Sequence, residues 1–112
     1  MKMSTKIQGD VMVVVIHEKR MDAKLAVPFK NEMLELIDEG HCKIVLNLQD
    51  VDFIDSSGLG AMVAVFKAVD GKGDLALTGL RDNTRQLLRM TRMDQVFSLY
   101  GQESEAVSTL AG

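Results

Sequence analysis

Six consecutive residues, Val11-Met-Val-Val-Val-Ile16, carry no polar side chain, and five of them are β-branched. A strand with one wet face alternates apolar and polar residues. This run does not alternate, so it reads as a strand covered on both faces. Lys43-Ile-Val-Leu-Asn-Leu48 has the same character, and Asp74-Leu-Ala-Leu-Thr78 is a third strand. Helical patterns separate these strands, and such alternation implies an α/β layer fold with a mixed, mostly parallel sheet.

The rest of the chain fills in the order. Residues from about Ser4 to Gln8 can pair with Val11–Ile16 as an edge strand, joined through Gly9-Asp10. Phe29, Met33, Leu36 and Ile37 fall on one helical face, with Lys30, Glu32, Glu35 and Asp38 on the wet side. Asp22 caps a turn before that helix, Pro28 is expected in its first turn, and Gly40 stops it. A second helix starts near Ser56–Leu59 and runs to about Val69, ended by Gly71-Lys-Gly73. Asp82 or Asn83 can cap a third, carrying Leu87, Leu88 and Met90. Val96–Tyr100 reads as a short last strand and Glu103–Leu110 as a final helix. The expectation is about five strands and four helices, with the strand order left open. A chain of 112 residues, 46% apolar and 26% charged, fits one compact domain over residues 1–112.

Composition narrows the function classes. A net charge of −3 argues against holding DNA or RNA through its phosphates. Cys42 is the single cysteine, so no disulfide framework or thiolate metal site is available and a reducing, cytoplasmic setting is expected. Val11–Ile16 is too short for a secretory signal core, and nothing approaches the length of a membrane span. The eight methionines are scattered and read as core filler or surface residues. His17 and His41 lie far apart in sequence and near no ligand-like cluster, so neither a metal nor a cofactor is expected.

Asp55-Ser56-Ser57-Gly58-Leu59-Gly60 opens the second helix. Asp and Ser are strong N-caps, because their side-chain oxygens accept from the free N–H groups of a first turn. A helix start is therefore one complete reading of these residues. The second reading comes from their surroundings. In an α/β sheet the functional site lies at the carboxyl ends of the strands, and Ser56 comes just after such an end. On a helical wheel Leu59, Met62, Val63, Val65, Phe66 and Val69 share one arc, which should pack on the sheet. The opposite arc is Gly60, Ala61, Ala64 and Ala68 with Lys67. A smooth face of small residues beside two serines suits a docking partner, or a covering helix.

The stretch Val45-Leu-Asn-Leu-Gln-Asp-Val-Asp-Phe-Ile-Asp-Ser-Ser-Gly-Leu-Gly60 closely resembles the signature of anti-sigma-factor antagonists of the STAS family. The element order fits that family over nearly the whole chain. The resemblance implies a single STAS-type domain and a partner switch. The unmodified protein binds an anti-sigma factor that is also a serine kinase, which frees the sigma factor. The kinase phosphorylates the first serine of the pair, here Ser56, and a serine phosphatase restores it. Asp55 and Ser57 flank that site, Gly58 opens the helix, and Leu59, Gly60, Ala61, Ala64 and Lys67 continue the partner-binding region. The family's Gly-x-x-Asp pattern falls on Lys19-Arg-Met-Asp22, so Asp22 takes the aspartate's place and Lys19 replaces the glycine.

Two further readings are weighed. One is a STAS scaffold or transporter-associated subunit without sigma-factor switching. The other is a serine hydrolase. Against the latter, Ser57 does not sit in Gly-x-Ser-x-Gly and no histidine is evidently placed as its base. No Walker-type loop is present, and Gly71-Lys-Gly73 reads as a turn. Oligomeric state is left open.

Overall fold

The structure is a computed structural model that describes residues 1–112. Its strands are β1 (Met3–Gln8), β2 (Val11–Ile16), β3 (Arg20–Met21), β4 (Lys43–Asn47), β5 (Phe53–Ile54), β6 (Asp74–Thr78) and β7 (Ser98–Tyr100). Its helices are α1 (Ala23–Asp38), α2 (Ser56–Val69), α3 (Asp82–Met90) and α4 (Glu103–Leu110), with a 3-10 turn at Met93–Gln95. The main sheet has five strands in the order β1-β2-β4-β6-β7. β1 pairs antiparallel with β2 through the Gly9 turn, and the other three pairings are parallel. This is the mixed, mostly parallel α/β fold expected from the alternation of elements.

The apolar runs are buried as their composition requires. Val11, Val13, Val14 and Ile16 are fully buried, as are Ile44, Val45, Leu46, Leu75, Ala76 and Leu77. Alternate residues of one strand face opposite sides. Met12, Val14 and Ile16 join the larger core with Phe29 and Met33 of α1, Met62 and Val65 of α2 and Leu88 of α3. Val11, Val13, Val45 and Ala76 face the other side, where Ala106 and Leu110 of α4 cover them.

Several boundaries differ from the sequence expectation. α1 begins at Ala23, because the Asp22 carboxylate accepts from the Lys24 N–H at 3.1 Å and caps the helix directly. Pro28 therefore lies inside α1 rather than in its first turn. Arg81, not Asp82 or Asn83, stands at the start of α3 and provides no side-chain cap. The last strand is confined to Ser98–Tyr100, since Met93–Gln95 curls into the 3-10 turn ahead of it. β3 and β5, two residues each, form a separate parallel pair that the sequence expectation does not include.

Candidate functional site

β3 and β5 position the candidate site. Arg20 pairs with Phe53 and Met21 with Ile54. The Asp55 N–H donates to the Met21 carbonyl at 3.1 Å, extending the register by one residue. Asp22 and Asp55 then cap α1 and α2, so the two helices start side by side. Asp55 accepts from the Gly58 N–H at 2.9 Å. That bond makes Asp55 the cap and leaves the hydroxyls of Ser56 and Ser57 free of the capping role. Both serines are exposed, while Asp22 and Asp55 are half-buried.

Gly58 is needed here for a packing reason. A Cβ on it would run into the Met21 carbonyl and the Ile54 side chain. Only a glycine lets the first turn of α2 sit this close to β3. Gly60 is the opposite case, since a Cβ there would meet nothing within 4 Å.

The face of α2 differs from the one expected. Leu59, Met62, Val65 and Val69 are buried as predicted, with Val63 and Phe66 half-buried. Ala61, placed on the open face by the wheel, is buried at 6% exposure, and Gly58 is buried too. The reason is tertiary. α2 packs on the sheet, and α1 also packs along it. Phe66 meets the Phe97 ring edge-to-face at 5.8 Å on one flank, and Ala61 on the other joins the larger core. What stays open is a narrower stripe of Ser56, Gly60 and Lys67, with Ser57 and the half-buried Ala64 beside it.

The acidic residues near the serines are only partly balanced. Asp52 pairs with Arg81 at 3.2 Å, and Asp22 lies 3.7 Å from Arg20. Asp50 contacts His17 Nδ1 at 3.2 Å, and the His17 Nε2 side contacts the Ser4 hydroxyl at 2.9 Å. His17 has no ligand-like neighbour in the sequence; the fold brings it to the carboxyl end of β2, beside the turn after β4. The Ser4, His17 and Asp50 side chains are all exposed. They tie the outer strand β1 to the acidic turn. No signal in the sequence links residues so far apart, because their meeting depends on β1, β2 and β4 being neighbours. No group of three or more His, Cys, Asp or Glu side chains is arranged to hold a metal ion. No helix is long and apolar enough to cross a membrane.

A five-stranded mixed sheet with helices on both sides, and an Asp-capped Ser-Ser-Gly helix start beside a second aspartate cap, defines a STAS-type domain. The STAS domain family model matches residues 2–106, and the chain belongs to that family. A protein of Thermotoga neapolitana that bears the name of an anti-sigma factor antagonist homologue is 33% identical over 109 residues, 96% of each chain. The anti-sigma F factor antagonist of Paenibacillus polymyxa is 32% identical over 81 residues, 70% of this chain and 69% of that one. The crystal structure of the corresponding Thermotoga maritima protein superposes with a TM-score of 0.86 at 29% identity, covering 96% of this chain and 93% of that one.

Proposed function

We propose that this chain is an anti-sigma-factor antagonist acting in the cytoplasm as a phosphorylation-gated binding module. When unmodified, it binds an anti-sigma factor that is also a serine kinase, and so releases the sigma factor. Phosphorylation of Ser56 by that kinase ends binding, and a serine phosphatase resets it. The observation that carries this reading is Ser56 itself. It is exposed at the first residue of α2, relieved of capping by Asp55, at the head of the open stripe through Gly60 and Lys67. A kinase needs such an accessible hydroxyl, and the stripe offers its partner a low-relief surface.

The electrostatics explain how one phosphate switches binding without unfolding the chain. Phosphorylation adds about −1.5 to −2 charges at neutral pH. The free N–H groups and dipole at a helix N-terminus accommodate an anion, so the fold tolerates it. Docking is where the penalty falls. The dianion would be desolvated beside the Asp55 carboxylate, with Asp22 at the start of the neighbouring helix. A penalty of about 3 kcal/mol weakens binding on the order of a hundredfold.

The test is to incubate the protein with its cognate anti-sigma kinase and ATP and map the phosphate by mass spectrometry. Label is expected on Ser56, and Ser56→Asp is expected to lose kinase binding on the order of a hundredfold. Phosphate on another residue, or unchanged binding by Ser56→Asp, would sink the reading.

A further inference from the structure

His17 stands at the centre of a three-residue relay that the Ser56 switch does not use. Ser4 Oγ lies 2.9 Å from His17 Nε2, and His17 Nδ1 lies 3.2 Å from Asp50 Oδ2. None of these side chains makes another hydrogen bond or ion pair, so the three form one unbranched line. The sheet sets the geometry. β1 and β2 pair in the register Ser4↔Val15, which puts Ser4 diagonally across from His17. β2 and β4 run parallel with Val15 opposite Asn47, so His17 and Asp50 both follow the carboxyl ends of their strands.

The nitrogen assignment decides what the line can do. An ionised carboxylate only accepts, so Asp50 holds the proton of a neutral imidazole on Nδ1. Nε2 then carries the lone pair and accepts from the Ser4 hydroxyl. This is the orientation in which a histidine takes the proton of an attacking serine while an aspartate fixes the ring. As a structural tie the line contributes little, because water competes for every member. Ser4 is exposed, and the His17 and Asp50 side chains are 45% and 47% exposed.

The surroundings limit the substrate. The His17 N–H donates to the Lys2 carbonyl at 2.9 Å, which makes Lys2 and His17 a bonded pair of the ladder. Bonded pairs alternate along an antiparallel ladder, so the Ser4 N–H is taken up by Val15. That N–H cannot turn to a developing oxyanion, and the acyl group must therefore arrive on a good leaving group. His17 also lines a hollow of about 530 Å³ that holds Lys2, Lys19 and Lys24, none of them in an ion pair. Arg20 lies there 3.7 Å from Asp22, and Glu18 accepts the Lys2 backbone N–H at 2.7 Å. Four cations against two carboxylates favour an anionic donor. An acyl phosphate is compact, anionic and well activated.

We propose that Ser4 is a nucleophile that takes an acyl group from an acyl phosphate, with His17 as its base and Asp50 as the residue that positions His17. Ser4 Oγ attacks the carbonyl carbon, and the Oγ–C bond forms as the C–O bond to the phosphate breaks. The hydroxyl proton moves to His17 Nε2 and from there to the departing phosphate. The products are the Ser4 acyl ester and inorganic phosphate. Ser56 takes no part in this step.

The experiment incubates the full chain with acetyl phosphate, or with p-nitrophenyl acetate as a neutral donor, and follows acetylation of each peptide by mass spectrometry. Ser104 and Ser108, exposed serines of α4 without a histidine partner, are references within the same digest. Ser4 is expected to gain its acetyl group on the order of a hundredfold faster than either, and His17→Ala to bring it down to their rate. Asp50→Asn is expected to slow Ser4 about tenfold and Asp50→Glu to recover most of that loss. Lys2→Glu is expected to slow the reaction with acetyl phosphate about tenfold and to leave that with the neutral ester unchanged. All these positions are exposed, so the fold survives the changes. Acetyl groups on lysines alone, equal labelling of the three serines, or a parent rate in His17→Ala overturns Ser4 as a nucleophile. A parent rate with acetyl phosphate in Lys2→Glu, or an equal loss with both donors, overturns the acyl-phosphate assignment.

Discussion

Gly58 and Gly60 stand two residues apart in the same helix and do different work. A side chain at Gly58 would strike the Met21 carbonyl, the same oxygen that receives the Asp55 N–H. Gly58→Ala is therefore expected to cost about 3 kcal/mol, near the upper end for overpacking, measured as a shift in the urea midpoint at unchanged slope. A side chain at Gly60 meets only open space. Gly60→Ala is expected to stabilise the protein by about 0.5–1 kcal/mol, because an exposed helix interior prefers alanine. If the open stripe is the docking surface, that same change weakens kinase binding while raising stability. A variant stabilised and yet unaltered in binding would show that Gly60 lies outside the interface. The asymmetry of the two glycines is invisible in the Ser-Ser-Gly-Leu-Gly string. It arises because β3, distant in sequence, passes beneath only one of them.

At the scale of elements, α1 and α2 owe their starts to Asp22 and Asp55; the start of α2 was readable because a side-chain cap is local chemistry, whereas α1 was expected to begin nearer Pro28, with Asp22 capping only a preceding turn. α3 is less well ended. It has no side-chain cap, and the buried Thr84 hydroxyl finds no hydrogen-bond partner. An unpaired buried hydroxyl carries a desolvation cost with no return. Thr84→Val keeps the β-branched shape and removes that oxygen, so a gain of about 1 kcal/mol is expected in chemical denaturation. A loss of stability would mean that the hydroxyl is satisfied in solution. β3 and β5 mark the limit of reading elements from sequence. Two-residue strands have no periodicity to detect, and each exists only because the other lies beside it.

For the whole molecule, α4 is the element that closes the second face of the sheet, and polar ties anchor its start. The Glu103 carboxylate accepts from Asn47 Nδ2 at 3.0 Å and pairs with Lys6 at 3.1 Å, joining α4 to β4 and β1. The Asn47 hydrogen bond, with the Lys6 contact second to it, holds its pKa below the ordinary value of 4.5 despite some desolvation. A depressed carboxylate pKa contributes stability above the unfolded value that is lost as pH falls through the folded one. Stability should therefore decline as pH drops below about 4.5. Glu103→Gln should flatten that decline, measured by denaturation at about pH 6 and about pH 3. An unchanged slope in the variant would assign the acid sensitivity to other groups. Asp10, whose pKa Lys43 lowers through a 2.6 Å contact, is the other carboxylate with a resolved shift, and its exposure to solvent limits its effect.

The sequence by itself determined the architecture and the address of the site. Apolar β-branched runs have to be buried on both faces, amphipathic runs between them have to cover those faces, and Asp55 has to cap the helix that begins at Ser56. Each of these is a local requirement, written in neighbouring residues. The tertiary structure decided which residues share a surface. It put the Asp22 cap beside the Asp55 cap and buried Ala61 in the core. It carried His17 to Asp50 and Glu103 to Asn47. Those pairings depend on strand order and helix packing, which bring together residues that no local pattern connects. The Asp55-Ser56-Ser57 start was legible because capping is local, whereas the surface around it had to be built by the fold.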